Sequence, residues 1–593
     1  MKYRWRIDPV QHVLANSLAE KLGITPLLAQ CLLNRGHSEP AAMQRFLDPR
    51  LQNLADPFLL PNMEAAVARL FEAREKKERL VIFGDYDADG ITATALLTEV
   101  LRALGWAVDF YLPLRREEGY GLSRSGVENC LAKFPVTLLL AVDCGSTSVE
   151  TIGWLQGQGV DVVVLDHHQV SSELPPALAL VNPHLQRSSP TVAGESGSLA
   201  AEAGNGKTPL FRELCAVGLA FKLSHALLKR GRQVGLAEAS DFDLRSCLDL
   251  VAVGTIADMV PLTGENRILV TAGLKCLNQT RRPGLAALKK VAQLTKEITG
   301  YEVSFQIAPR LNAPGRLEDA LQPLRLLLTK EPAEAVQLAE LLDGQNRERQ
   351  EIERGIVAQV MSSIRARFNA ARDFVIVEGE PLWHIGVVGI VASKVLQEFY
   401  RPTVIFGGDV EGWRGSGRSI EGFDLAAALR DCNHLLLRHG GHAMAAGLAL
   451  LPEKLAEFRT HLNEIARRSL TPEQLLPSLR LDAEIAPGDL TLARVEELRG
   501  LQQTGMGNPA AQFMFRNVFH ERPGQRMGPD KKHARLWITD GVDTREAIMW
   551  GVGENALPSG RFDLAFTPQL NDFNGARSIQ LKVLDWRPTE AAP

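Results

Sequence analysis

Cysteine is sparse in this 593-residue chain. There are seven, scattered, with no CxxC pair. That excludes a zinc ribbon and a disulfide scaffold and fits a reducing cytoplasm. Long apolar runs are also missing: no stretch reaches the roughly 18 residues a membrane helix needs. The opening MKYRWRIDPVQ lacks the apolar core of a secretory signal. The expectation is a cytoplasmic monomer without membrane association. A basic excess is absent as well. Lys and Arg number 66 against 70 Asp and Glu, leaving a net charge of -4 and a pI near 6.4. Any nucleic-acid contact must therefore follow a local basic path.

Hydrophobic residues make up 45% and charged residues 23%, which is ordinary globular composition. The length exceeds one core, so about three or four domains are expected. The chain is organised around residues 80–90, LVIFGDYDADG. Leu80, Val81, Ile82 and Phe83 read as a buried strand. Asp85, Asp87 and Asp89 follow at alternate positions, and ITATALLTEVL then has helical spacing. The acids thus sit at the carboxyl end of a strand, where open α/β sheets place ligands. Crowded carboxylates repel one another, and hard divalent cations with oxygen ligands relieve that repulsion. A solvated acidic turn or a calcium loop is the alternative. An EF-hand, however, needs a Glu at the twelfth position, which is Leu96 here.

The pattern recurs. VTLLLAVDCGS ends a second strand at Asp143, and VDVVVLDHH ends a third at Asp166, His167 and His168. Intervening helical segments predict a parallel, doubly wound sheet, whose strand ends share one edge. A lone His pair is most often structural. At the same edge as two Asp clusters, it suits Mn²⁺ or a similar ion. LDLVAVGTIADMVPL puts Asp258 at the end of an apolar stretch, with a plain helix-end carboxylate as the alternative. APRLNAPGRL places Arg310, Asn312 and Arg316 on what reads as a Gly/Pro loop; two guanidiniums there suit phosphate, and a structural Arg loop is equally open. Residues 186–209, rich in Ser, Gly and Ala, read as a surface insertion. Their GNGKT is no phosphate loop, because Ala201 stands where a Gly is required.

Residues 1–70 read as a helical extension without chemistry. From Glu331 to Phe368 the stripe Ile352, Ile356, Val360, Ile364 and Phe368 predicts a long connecting helix. A second α/β unit, 369–468, follows, and it too is expected to hold a parallel sheet. In it, WRGSGRSIEGFDL offers Ser416, Arg418 and Ser419 on a flexible loop, and HGGHAMAAGL offers Gly440, Gly441 and His442. Together they make a reasonable phosphodiester cradle, with a structural role for His442 as the alternative. From about 469 to 593 short alternating runs predict a small β-barrel or sandwich. Its aromatics Phe513, Phe515, Phe519, Trp537, Trp550 and Phe573 are mostly core in such a fold, with one or two rings available to stack on bases.

In order, GDYDADG, VDCG, LDHH, GTIADMVPL and APRLNAPGRL resemble the motifs of the DHH phosphoesterase superfamily, and GSGRSIEGFDL with GGHAMAAG resembles its associated DHHA1 domain. With the C-terminal GMGNPAAQF, the likeness is strongest to the superfamily's single-strand-specific 5′→3′ DNA exonucleases. The resemblance implies an α/β fold: a DHH catalytic domain over 71–330, a connecting helix over 331–368, a DHHA1 domain, and a C-terminal OB-fold that closes a ring over the DNA. It implies metal ligands at Asp85, Asp87, Asp89, Asp143, His167 and Asp258, holding two ions of Mn²⁺ or Mg²⁺. Asp87, Asp143 and His168 would serve the chemistry. Arg115, Arg310, Asn312, Arg316, Ser416, Arg418, Ser419, Gly441 and His442 would bind substrate. Many superfamily members have His at the position of Phe83, so the resemblance implies that the second metal position here lacks a nitrogen ligand, with Asp85 as the residue to compensate. The implied activity is hydrolysis of single-stranded DNA to 5′-mononucleotides in repair and recombination, with a single-strand-binding protein and a RecQ-type helicase as partners. Two rival functions are a relative cleaving short oligonucleotides, cyclic dinucleotides or pyrophosphate, and an inactive scaffold in a replication complex. The retained acids argue against the second.

Overall fold

The computed structural model describes residues 2–114, 117–119, 121–185, 211–317, 319–409, 412–553, 555–573 and 575–589. Arg115 and the 186–209 insertion lie outside the described residues. The chain divides into two compact units: Asp48–Glu348 with Gln503–Pro509, and Met1–Leu47 with Arg349–Gln502 and Ala510–Pro593.

The first unit is built on five parallel strands in the order β2-β1-β3-β4-β5. These are β1 (Leu80–Phe83), β2 (Val108–Tyr111), β3 (Leu138–Val142), β4 (Asp161–Leu165) and β5 (Ala179–Val181). Strand side chains alternate between faces, and here both alternating sets are apolar. Leu80, Ile82, Leu138, Leu140, Val163 and Leu165 enter one core. Val81, Phe83, Leu139, Ala141, Val162 and Val164 enter another on the opposite face. This burial on both faces is why the strands read as continuous apolar runs. Helices α1 (Ala88–Ala103), α2 (Ala216–Gln233) and α3 (Leu248–Ala257) contribute to the first core. Val127, Cys130, Ile152 and Leu155 of two crossover helices fill the second. Phe83 is fully buried and stacks on Tyr111 at 5.4 Å, so it belongs to the core.

APRLNAPGRL is not a loop. It is helix α4 (Ala308–Leu317), preceded by a π-helical turn over Val303–Ile307. Pro314 inside it lacks an N–H and so cannot donate to the carbonyl of Arg310, one turn earlier. The long helix α5 runs from Pro332 to Arg367. Leu338, Ala339 and Leu342 join the core of the first unit, whereas Ile356, Val360 and Ile364 join a cluster in the second.

In the second unit the 369–468 region forms a five-stranded sheet, ordered β9-β10-β8-β7-β6. Its strands are β6 (Ile376–Glu380), β7 (Thr403–Asp409), β8 (Gly412–Arg418), β9 (Arg438–His442) and β10 (Ala445–Leu450). Only the β6–β7 pairing is parallel, and the other three are antiparallel. The expectation of a parallel sheet is corrected here. Short connections between β7 and β8, and between β9 and β10, permit only hairpins. Ser416 and Arg418 also sit on a strand rather than a flexible loop. A Cβ on Gly415 would lie 2.5 Å from the Phe406 ring, and one on Gly417 would lie 2.6 Å from Leu425. These glycines mark close packing in a central strand.

The remaining strands are β11 (Ala483–Glu484), β12 (Phe513–Met527), β13 (His533–Thr539), β14 (Thr544–Met549), β15 (Phe562–Phe573) and β16 (Ala576–Pro588). They pair in the order β11-β12-β13-β14-β16-β15, and β12 also pairs with β15. Phe513 and Phe515 are core, whereas Trp550 is exposed. Arg4–Ile7 forms a parallel pair with Ser478–Leu481, which ties the N-terminal residues to this unit. Among the described residues no helix is long and apolar enough to cross a membrane.

Candidate metal centre

The carboxyl ends of β1, β3 and β4 lie along one edge because their neighbours pair in parallel. Asp87 caps the N-terminus of α1: its Oδ1 accepts from the amides of Asp89 at 3.0 Å and Gly90 at 3.1 Å. Asp89 lies inside the first turn, fully buried. Its two carboxylate oxygens accept from the amides of Ala216 at 2.7 Å and Val217 at 2.8 Å, the first residues of α2. Burial, then the charge of Asp87, pushes its pKa up to about 7 against the pull of those amides and the Cys215 thiol. Helix α3 approaches closely at Gly254, where a Cβ would stand 2.3 Å from Thr92 and 3.0 Å from Asp89. This contact brings Asp258, at the end of α3, to the same edge.

Asp143 follows β3 with a φ of 65°. A left-handed aspartate at a strand end is uncommon and turns its side chain off the sheet. His167 Nε2 lies 3.3 Å from Asp143 Oδ1, 3.6 Å from Asp258 Oδ2 and 3.9 Å from Asp89 Oδ2. None of Asp143 Oδ1, His167 Nε2 and Asp258 Oδ2 is hydrogen-bonded within the described residues, though each is buried. Burial, then repulsion from Asp89, Asp87, Asp85 and Asp258, raises the Asp143 carboxyl well above the usual range. Burial, then Asp89 and Asp87, takes Asp258 to about 9. Burial, then the neighbouring His168, lowers His167 to about 4, leaving a neutral imidazole. Buried polar atoms without partners are costly. A neutral imidazole among repelling carboxylates is the donor set of a divalent cation. Ligand atoms gather within 4.8 Å of one another in three sets: Asp85, Asp87 and Asp143; Asp143, His167 and His168; and Asp89, Cys215 and Asp258.

Asp166, the acid of the Asp-His-His run, does a different job. Its Oδ1 accepts from His168 Nδ1 at 2.7 Å and from the amides of His167 and His168, while Oδ2 accepts from Ser146 N. Burial opposes its ionisation, but the His168 hydrogen bond and both imidazoles outweigh that and hold its pKa well below the usual range. Burial likewise works against His168, and the hydrogen bond and charge of Asp166 overcome it, holding the imidazole up at about 9. Buried Asn182 supports the same loop through His168 O and Ser146 Oγ, both at 2.8 Å. Asn182, Cys215 and the amides of Ala216 and Val217 escaped sequence reasoning. A backbone donor leaves no side-chain signal, and neither Asn182 nor Cys215 belongs to a motif.

Several expected substrate residues have other partners. Arg310 donates to Asp343 through Nε at 2.9 Å and to Gln306 O at 2.5 Å, and its remaining guanidinium nitrogen lies 2.8 Å from Asp343. Asn312 Oδ1 accepts from Ala88 N at 2.7 Å and holds the acidic turn. Arg316 is partly exposed in the last turn of α4. In the second unit, Ser419 is buried and donates to Phe423 O at 2.7 Å. Gly441 serves its hairpin: with a φ of 139°, a Cβ there would lie 2.5 Å from Ala445 O. Ser416 and Arg418 are joined by a 2.9 Å hydrogen bond and lie against Gly389, in the first turn of helix α6 (Val388–Phe399). A helix N-terminus beside a guanidinium and a hydroxyl suits an anion. His442 ends β9 with its side chain exposed.

Residues 79–255 match the DHH family N-terminal domain, 372–468 the DHHA1 domain and 481–585 the RecJ OB domain. The single-stranded-DNA-specific exonuclease RecJ of Bacillus subtilis is 35% identical, over 98% of this chain and 71% of that protein. The crystal structure of RecJ in complex with Mn²⁺ from Thermus thermophilus superposes with a TM-score of 0.81 at 31% identity, covering 100% of this chain and 80% of that one. The corresponding structure with Mg²⁺ gives a TM-score of 0.75 at 29% identity, covering 100% and 79%.

Proposed function

The chain belongs to the RecJ family of single-stranded-DNA-specific exonucleases, and on that premise we propose that it removes 5′-mononucleotides from single-stranded DNA in the 5′→3′ direction. It is a metal-dependent exodeoxyribonuclease. Asp85, Asp87, Asp89, Asp143, His167 and Asp258 would hold Mn²⁺ or Mg²⁺, and Asp143, shared by two of the ligand sets, supports a pair of ions. Bound there, such ions neutralise a phosphodiester, lower the pKa of a water and favour departure of the alkoxide.

The chain's own residues supply the rest. Neutral His167 and the buried carboxylates keep their lone pairs directed into the site. His168, held protonated by Asp166, has its Nδ1 committed to that carboxylate; through Nε2 it would orient the scissile phosphate and carry a proton for the leaving oxygen. Ser416 and Arg418, on a central strand, bind backbone phosphate without reading bases, which supports sequence independence. We assign the enzyme to DNA repair and recombination, where single strands are resected.

The observation that carries this reading is the convergence of Asp143, His167 and Asp258 on buried atoms that lack partners. Digestion of strands labelled at either end tests it. With Mn²⁺ or Mg²⁺, label at the 5′ end of a single strand is released first as mononucleotide, and blunt duplex resists. Release from the 3′ end, internal cuts or indifference to chelation would overturn it.

A further inference from the structure

We infer that Met259, Tyr301, Phe305 and Met506 form an apolar ledge on which unpaired bases stack while the strand end occupies the metal centre. This inference rests on the exonuclease reading and deepens it, by naming the surface that selects single strands. All four side chains belong to the first unit. They are also unusually open for their size: Met259 is 67% exposed, Tyr301 63%, Phe305 64% and Met506 54%.

Three segments in mutual contact carry them. Met259 directly follows Asp258 and takes a left-handed φ of 59°, the turn that ends α3. The loop 503–509 lies against that turn. Leu262 N donates to Met506 O at 2.8 Å, and a Cβ on Gly507 would stand 2.9 Å from Pro261. The loop is held internally by the Gly505–Asn508 bridge and by fully buried Asn508, whose Nδ2 donates to Gln503 O. Its other flank meets Gly300, where a Cβ would lie 3.8 Å from Thr504 O. Tyr301 and Phe305 occupy successive turns from there, with ring centroids 4.8 Å apart and planes tilted by 37°.

The same helical rod continues into α4 and reaches Asn312, which binds the acidic turn at Ala88. Seven and eleven residues at about 1.5 Å each place Phe305 and Tyr301 about 10 and 16 Å along the rod from that contact. That is about three to five nucleotides at the ~3.4 Å rise of a stacked strand. The ledge therefore starts beside a metal-centre carboxylate and extends outward over a short oligonucleotide.

Base chemistry matches this surface. An unpaired base offers a π-face that rings and thioethers can cover, and such stacking tolerates any sequence. In a duplex those faces are already covered. The chain carries a net charge of -4, and the metal centre itself is acidic, so long-range attraction to phosphate is weak. Stacking supplies affinity that charge does not.

Steady-state hydrolysis tests the ledge, with a long 5′-phosphorylated oligothymidylate and the dinucleotide as substrates. Tyr301→Ala with Phe305→Ala should raise KM for the long strand about tenfold or more, leave its kcat within about twofold, and leave the dinucleotide, too short to reach the rings, unaltered. Tyr301→Phe should restore the long-strand KM. A strand carrying 2-aminopurine should lose its binding-induced quenching in the double variant. Both rings are exposed, so folding is not at stake; each single alanine variant is measured as well. An unchanged long-strand KM, as expected if the ledge receives a protein, would overturn the proposal, and so would an equal rise for the dinucleotide. If the unaltered enzyme cleaved neither substrate, the exonuclease reading would fall and the ledge with it.

Discussion

Val217 donates its backbone amide to Asp89 Oδ1 at 2.8 Å across 128 positions of sequence. The bond places the N-terminus of one helix on a carboxylate inside the first turn of another. It holds an acid at the metal edge without a cation from any side chain. A helix N-terminus favours negative charge, yet burial still lifts the Asp89 pKa to about 7. In Asp89→Asn the amide group would set an N–H against one of two donating amides. The expected cost is about 1–3 kcal/mol, with weaker Mn²⁺ binding. Chemical denaturation and calorimetric titration with Mn²⁺ measure both.

Removal of the metal exposes a pH dependence whose sign follows from the raised carboxyls. Asp258 lies at about 9 and His168 at about 9 in the fold, above their unfolded values of roughly 3.9 and 6.5. Each therefore contributes stability that is full below its unfolded pKa and is lost as pH rises through about 9. His167 acts oppositely, but its lowered pKa of about 4 confines its effect to below roughly pH 6.5. In EDTA the Tm should fall steadily between pH 7 and pH 9. Asp258→Asn should flatten the slope, and Mn²⁺ should raise the whole curve. A Tm without slope in that window would contradict this account of the site.

In the proposed mechanism Asp166 acts through His168, to which it is hydrogen-bonded, rather than on substrate. Asp166→Asn keeps an acceptor but removes the charge that holds the imidazole at about 9. Turnover should drop about 10–100-fold, as for partners that orient active-site histidines. The alkaline limb of the pH–rate profile should move toward lower pH. A merely structural effect would scale the profile without moving the limb.

Arg310 is committed to Asp343, and the pair is largely buried, with side-chain exposures of 16% and 7%. Arg310→Gln should cost about 1–3 kcal/mol of stability, because it leaves the buried Asp343 carboxylate only the exposed Arg347 as a partner. The salt dependence of DNA binding should keep its slope, since no phosphate contact is lost. A slope reduced by about one unit would return Arg310 to the phosphate path.

Gly415 tests the packing behind Ser416 and Arg418. A methyl group there meets the Phe406 ring at 2.5 Å. Gly415→Ala should destabilise by about 1–3 kcal/mol and weaken single-strand affinity through displaced neighbours. Thermal unfolding and fluorescence anisotropy with labelled DNA report the two effects.

The candidate ligands are legible wherever an apolar run ends in acid or imidazole. Asp85, Asp87, Asp143 and His167 announced themselves because strands buried on both faces read as unbroken apolar segments, and parallel pairing sends their ends to one edge. The 36-residue helix Pro332–Arg367 was legible too, since its apolar stripe repeats with the turn of a helix. Other features depend on residues far apart in the chain. The amides that hold Asp89, the packing of loop 503–509 beside Asp258, and the pairing of Arg310 with Asp343 leave no local pattern. Glycines in β8 and a proline in α4 even pointed the wrong way, toward loops. Local propensity describes what a segment does alone. A clash with Phe406, or an amide from 128 positions away, exists only once the chain has closed on itself.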